Sequence, residues 1–486
     1  MLTRRCFVRA VALAMMVEVL RSASVVQAVA EIYPAPEGVE PATSYQVQVD
    51  GQDVFVHDLP VGAIASFSFW GTVEVAVTPK QDVKAVDIRP RSWGIWPTLE
   101  GNVIRFSLSE PGNFSIEINH DLQRPLFLFA NPPETNRPKP DAPGVRYFAA
   151  GKVHSPGVIE LRDNETAYIG GGAIVHGAIL ARGSRNIKVL GRGILDGTEM
   201  RGFVKSGSQR FVHLEDCSGV TMEGIILRNS PTWQIAPIRS DSISIANVKI
   251  LSASDNGDGI DLVRSRNVRI RNCFIRTAAD CVAVKALGDG SNAGTRNVEV
   301  SDCVFWSAEG GNAMEIGFEL RADEIRNIAF TDCDVIHVED GAVFGIHNGD
   351  QATVSDVRFQ NIRVEDARRK LIDLAIVLSR HSQDRPTDAR EIERRSLDGA
   401  WEGVLTVPEE QRAECAKSRG HIRDIVFRDI RVIDGLFPFS LVCGFDDQHR
   451  IENVTVAGLW IQGIEIASPE EGRFYVENAD EVLFRR

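Results

Sequence analysis

Positive charge is scarce in this chain: 54 Lys and Arg face 67 Asp and Glu, for a net charge of −13. Duplex nucleic acid draws most of its affinity from clustered Lys and Arg that neutralise phosphates, so no nucleic-acid partner is expected. Long apolar runs are missing as well. Past the leader described below, nothing approaches the ~18 to 20 consecutive apolar residues that a membrane span needs. No Cys-x-x-Cys pair and no His-rich stretch occurs, so neither a metal centre nor a cofactor is expected. Helical periodicity is rare. What is present, with 43% hydrophobic and 25% charged residues, is an ordinary globular composition able to bury a sizeable core.

The first thirty residues read as an export signal rather than as part of the fold. Arg4, Arg5 and Arg9 precede the apolar stretch from Ala10 to Val17, and the small-residue pattern Val26-Gln27-Ala28 follows. The opening Thr3-Arg4-Arg5-Cys6-Phe7-Val8-Arg9 is similar to a bacterial twin-arginine signal, with cleavage expected near Ala28 or Ala30. A periplasmic or extracellular location follows from that reading.

Past residue 180 the chain repeats itself. Short β-rich lines align on Ile187, Val220, Ile243, Val268, Val298, Ile328, Val357, Ile425 and Val454, at separations of 33, 23, 25, 30, 30, 29, 68 and 29 residues. Several lines share one wording, as in Asn267-Val268-Arg269-Ile270, Asn297-Val298-Glu299-Val300 and Asn327-Ile328-Ala329-Phe330. Alternating short strands at this period predict an all-β chain built on a right-handed parallel β-helix, a solenoid whose coils bury their inner faces against each other. Asn and Gly fall at the corners, where a tight bend needs permissive backbone.

Cys273, Cys303 and Cys333 each lie five residues after their column residue, which stacks them as small apolar groups on the inner face. Removal of the leader leaves seven cysteines, an odd number, so a fully paired disulfide framework is excluded.

Two segments depart from the repeat. Residues 31–135 alternate like an antiparallel sheet, as in Tyr45-Gln46-Val47-Gln48-Val49, and predict a small leading β-sandwich, joined through the Pro-rich stretch ending at Pro143 to a β-helix over 136–486. The 68-residue separation holds a charged, partly helical insertion expected at about 370–421, including Arg380 to Arg395.

Carboxylates gather on adjacent coils. Asn256-Gly257-Asp258-Gly259-Ile260-Asp261 opens one coil and Asp280-Cys281-Val282-Ala283-Val284-Lys285 the next, so Asp258 and Asp280 occupy equivalent points about one strand spacing apart. The following coil carries Met314-Glu315-Ile316 and Glu319. With Met314 and Ile316 inward, the period of two turns Glu315 outward, and the same argument turns His347 outward one coil later. Carboxyl groups stacked on one face are what glycoside hydrolysis requires: one acid for the leaving oxygen, another group to activate water. Asp258, Asp280 and Glu315 are thus the expected catalytic groups. Asn256, Asp261, Lys285, Glu319, His347 and Trp233 are expected to bind substrate, Trp233 by stacking on a sugar ring.

At these residues the chain resembles the polygalacturonase-type glycoside hydrolases, family 28 and its β-helical relatives. The resemblance rests on Asn229-Ser230-Pro231-x-Trp233, on Asn256-Gly257-Asp258-Gly259-Ile260-Asp261 against Asn-Thr-Asp-Gly-Ile-Asp, and on Asp280-Cys281-Val282-Ala283 against Asp-Asp-Cys-Ile-Ala. It covers roughly residues 145–465. The leading sandwich is similar to that of the family 49 dextranases. The resemblance implies an inverting, metal-free hydrolase acting on a polysaccharide or oligosaccharide.

Three departures alter that expectation. The family's general-acid Asp falls on Ala279, its active-site His on Asn312, and its Arg-x-Lys line on Gly345-Ile346-His347. Without a guanidinium fork a galacturonate carboxylate loses its grip, so a neutral glycan, or one whose charge is read elsewhere, is expected instead of polygalacturonate. Glu315 is expected to supply the proton that Ala279 cannot. A β-helical lyase or epimerase, and a non-catalytic glycan-binding β-helix, stand as alternatives.

Overall fold

A computed structural model describes residues 29–203, 209–288, 293–385, 407 and 409–485. The leader, residues 1–28, lies outside them.

The repeat lines become one 30-stranded sheet in which strands pair in parallel with their counterparts about one coil on, apart from the antiparallel strand Ile464–Ile466. This is a parallel β-helix. The aligned column is also the observed register: Val220 pairs with Ile243, Ile243 with Val268, Val268 with Val298, Val298 with Ile328, Ile328 with Val357, Val357 with Ile425 and Ile425 with Val454. All of these residues are at most 3% exposed, and the coils share one continuous core. The corner residues before the column, Asn267, Asn297 and Asn327, adopt φ near +55°, a conformation that Asn tolerates. Their amides form a ladder, Asn297 Nδ2 donating to Asn267 Oδ1 and Asn327 Nδ2 to Asn297 Oδ1, both at 2.9 Å. Cys273, Cys303 and Cys333 lie one above another inside, and no disulfide joins the described cysteines.

Ahead of the β-helix, a six-stranded and a five-stranded sheet enclose a core of Val47, Phe67, Val75, Ile104, Phe114 and Leu128. The outer face of the larger sheet docks on the β-helix through Phe127 and Phe129, which meet Phe274 edge to face. Beside this apolar seam lies a charged one. Arg89 pairs with Glu117 (3.0 Å) and Glu365 (2.5 Å), and His337 bridges Glu117 (2.9 Å) and Asp366 (3.0 Å).

The insertion starts later than expected. Lys370–Ile376 is a strand of the β-helix paired with Ala342–Asn348, its Leu371, Ile372 and Leu374 buried in the core. Its apolar alternation was hidden behind Lys370 and Asp373. Residues 380–385 form turns, the rest of the Arg380 to Arg395 stretch lies outside the described residues, and the helix observed is Glu409–Ala416. Among the described residues no helix is long and apolar enough to cross a membrane.

Candidate active site

Five successive strands, Ile260–Val263, Val282–Ala286, Met314–Leu320, Ala342–Asn348 and Lys370–Ile376, form the floor of an open groove of about 870 Å³. Their inward residues, such as Ile260, Val282, Met314, Phe344 and Ile372, fix which side chains turn outward.

The ladder sets Asp258 beside Asp280, because Gly259 N–H donates to Asp280 O at 2.8 Å and Ile260 pairs with Val282. Both carboxylates line the groove. Lys285 reaches back to hold Asp258 at 2.9 Å and Asp261 at 3.0 Å. Although burial opposes its charge, Asp258 and Asp261 keep the Lys285 ammonium well above its ordinary pKa. Asp280 has no such cation in contact among the described residues. Burial, then the negative charge of Asp258 and Glu315, pushes its carboxyl up to about 8, against a smaller opposing pull from Lys285 and from the Asn312 N–H that donates to Oδ1 at 2.7 Å.

Glu315 is placed differently from the expectation. It does turn outward, but its ladder neighbours are Ala283 and Gly345, a separate row from Asp258 and Asp280, whose counterpart on this coil is Asn312. It is fully buried beneath the groove floor. Its carboxylate accepts from Asn312 Nδ2 at 2.9 Å and meets His347 Nδ1 at 2.9 Å. Gly345 makes the room: a Cβ there would lie 2.0 Å from Glu315 Oε2. The same space is thereby closed to an arginine at position 345.

His347 and Asp261 also lie under the floor, 4% and 0% exposed. Both ring nitrogens of His347 face carboxylates, Glu315 on one side and Asp373 at 3.1 Å on the other. Burial opposes its protonation, yet these two charges push it up to about 10. Lys370 closes the chain against Asp373. His347 and Asp261 are therefore parts of the support rather than groups within reach of a sugar. Trp233 lines the groove at 6% exposure, but the guanidinium of Arg210 and the ammonium of Lys285 lie 4.0 and 4.2 Å from its ring centroid. Cations occupy the ring that was expected to stack on a sugar.

Asn256 and Glu319 line the groove. Glu319 is presented by a bulge in which Gly317, Phe318 and Glu319 oppose the single residue Lys285. Phe318 stacks on His347 with 4.5 Å between ring centroids and leans on His381 at 5.8 Å. Phe318, His381, Asn312, Asp373 and Lys370 were not among the expected site residues. Taking Lys370–Ile376 as one more coil would have found the last two; Phe318 depends on a bulge that periodicity does not encode.

The fold and site define a parallel β-helix whose open groove is floored by a carboxylate pair with a buried charged support beneath it. Comparisons with known proteins agree with that class. Residues 156–382 match the family model described as glycosyl hydrolases family 28. Over 168 residues the chain is 24% identical to a polygalacturonase of Juniperus ashei, covering 34% of this chain and 32% of that protein. It is 23% identical over 206 residues to an endo-polygalacturonase of Pectobacterium carotovorum subsp. carotovorum, covering 42% and 49%. These matches thus span a third to a half of the relatives' length. Dex49A from Penicillium minioluteum shares the fold over 93% of this chain and 96% of its own, with a TM-score of 0.64 at 15% identity.

Proposed function

We propose that this protein hydrolyses O-glycosidic bonds of a polysaccharide or oligosaccharide by an inverting mechanism, with Asp280 as the general acid and Asp258 as the base that activates water. The supporting observation is the difference between two adjacent carboxyls on one groove floor. Asp280, pushed up to about 8, holds its proton near neutral pH, whereas Asp258 stands in an ion pair with Lys285. A carboxyl that keeps its proton, next to one held in an ion pair, can serve as the acid of such a pair. Glu315 then acts through Asn312 as a positioning residue, since its carboxylate does not reach the groove.

The substrate we assign is a neutral glycan. Asp255, Glu309, Glu319, Glu339 and Asp340 line the groove alongside the catalytic pair, and Lys285 is already committed to Asp258 and Asp261. Arg368, on the groove wall, is held by Glu339 at 3.3 Å and Asp366 at 3.1 Å. A polyuronate would meet like charge with few cations to receive it. Reducing-end release from a panel of neutral and uronic-acid glycans, with the anomer of the product followed by NMR, tests this. Release from neutral glycans with inversion, abolished in Asp280→Asn, is expected; release confined to uronates overturns the substrate class, and an unsaturated product overturns hydrolysis.

One observation favours a second reading. Ala279 stands where the resemblance puts the acid, so a glycan-binding protein without turnover fits that position; saturable binding with no release by the wild type would establish it.

A further inference from the structure

We infer that the protein carries a second carbohydrate site, away from the catalytic groove, in the cleft of about 470 Å³ between the leading sandwich and the β-helix corners. The choice of a neutral glycan as its ligand rests on the function proposed above. Trp93, Asn113 and Glu110 form one side, and Asn272, Asp302 and Asp332 the other.

The aromatic wall is fixed in place. Trp93 closes the short helical turn Arg91–Trp93, which Gly94 ends at φ +61°. Arg91 anchors that turn to Asp87 at 2.8 Å and to Asp434 at 2.6 Å, and its backbone N–H donates to Glu365 at 2.6 Å. The ring lies over Gly112, where a Cβ would come within 2.9 Å of it, and meets the edge of Phe114 at 5.1 Å. Despite these contacts it is 38% exposed. Unlike Trp233, it has no recorded cation over its ring among the described residues. Trp96, three positions on, is 88% exposed and gives the same loop a second ring.

The polar side contains an unmet demand. Asn113 is only 4% exposed, and its amide donates to Asn272 O at 3.2 Å. Its Oδ1 is buried without a hydrogen-bond partner among the described residues. Leaving such an acceptor unpaired costs free energy, so in a cleft it marks a place for a donor from outside. Asp302 and Asp332 add carboxylates at exposed corners with φ of +54° and +57°. An exposed ring beside convergent acceptors is how a protein holds a ligand with apolar faces and many hydroxyls. The acceptors suit hydroxyl donors and repel an anionic sugar.

Titration calorimetry with cello-, isomalto- and manno-oligosaccharides tests the inference, with oligogalacturonides as the charged control, in an Asp280→Asn background that prevents turnover. A neutral oligosaccharide that fills both sites should bind twice per chain. Adding Trp93→Ala should remove one site, Trp93→Tyr should restore it at reduced affinity, and Asn113→Ala should weaken it at least tenfold. If the groove itself binds none of these sugars, the count should fall from one to zero, so failure of the proposed function and failure of this site give different results. A stoichiometry unchanged by Trp93→Ala overturns the inference. So does cleft occupancy by calcium alone that Trp93→Ala leaves intact. Hydrolysis of a short substrate by Trp93→Ala in the wild-type background should match the parent, and a cooperative melting transition, at a lower temperature for the lost packing on Phe114, should confirm that the sandwich stays folded.

Discussion

Asp280 makes the mechanism measurable through pH. A carboxyl at its ordinary value of 3.8 would be protonated in about one molecule in a thousand at pH 7, whereas one at about 8 is protonated in about nine of ten. On the proposed mechanism, the environment of Asp280 raises the fraction of molecules with a usable acid roughly a thousandfold. The sign is definite. Because the acid must be protonated, kcat/KM should hold up to about pH 8 and then fall tenfold per unit, with about a tenth remaining at pH 9. Asp280→Asn should lose about 10² to 10⁴ in rate and lose that alkaline limb, since Asn cannot titrate. A substrate with a good leaving group should recover most of the loss.

The same shift has a consequence for stability. A carboxyl whose pKa is higher in the folded state binds more protons folded than unfolded between the two values, so its contribution declines as pH rises from about 4 to about 8. Asp280→Asn removes that penalty while keeping an oxygen for the Asn312 N–H. The variant should gain stability on the wild type by about 1.4 kcal/mol for each pH unit between about 4 and 8, and be indistinguishable from it at pH 4. An alkaline limb that survives in Asp280→Asn, or a variant that is inactive and also less stable at pH 8, would refute the assignment.

Three further expectations follow from the fold. Glu315→Gln should lower kcat with little change in KM, to an equal degree on activated and natural substrates, and should bring the His347 titration down from about 10, as read by NMR, because one of its two carboxylate partners is neutralised. Cys303→Ser should cost about 1 to 3 kcal/mol, since a hydroxyl replaces a buried thiol within the stack, whereas reductant should leave the wild-type melting temperature unchanged because no disulfide joins the described cysteines. His337→Gln should cost more at pH 6 than at pH 9: burial opposes its charge, but Asp366 and Glu117 raise its pKa, so the stabilisation is full below the unfolded value near 6.5 and lost as pH rises through the folded one. Melting temperatures at the two pH values check this.

How much of this was legible in the sequence depended on what sets each feature. The coil register was legible because a parallel ladder forces like residues into columns, so Val268, Val298 and Ile328 declare themselves in one dimension. Asp258 beside Asp280 followed from the same column. Burial was legible only where the outward face meets open solvent. In the rows of Asp261 and His347 the outward face is itself covered, and period-two alternation gives direction without depth. Hence Glu315 was correctly turned away from the core yet not recognised as covered. The sandwich contributes Trp93 and Asn113 to a cleft with β-helix corners more than 150 positions away, which no local pattern encodes.

Two replacements that look independent in the sequence, Ala279 for an acid and Gly345-Ile346-His347 for an Arg-x-Lys line, are joined in the structure. Gly345 is needed because Glu315 fills the space above it, and Glu315 is held there by His347 on one side and Asn312 on the other. Asn312 in turn presents its N–H to Asp280. Restoring an arginine at 345 would drive a long side chain into the Glu315 carboxylate, break that support and release the neighbour whose charge helps to raise Asp280. The Glu315 charge retained beneath the floor adds to burial and to Asp258 in raising the Asp280 carboxyl. On the function proposed above, a neutral substrate and an acid at position 280 rather than 279 would both follow from this one buried arrangement.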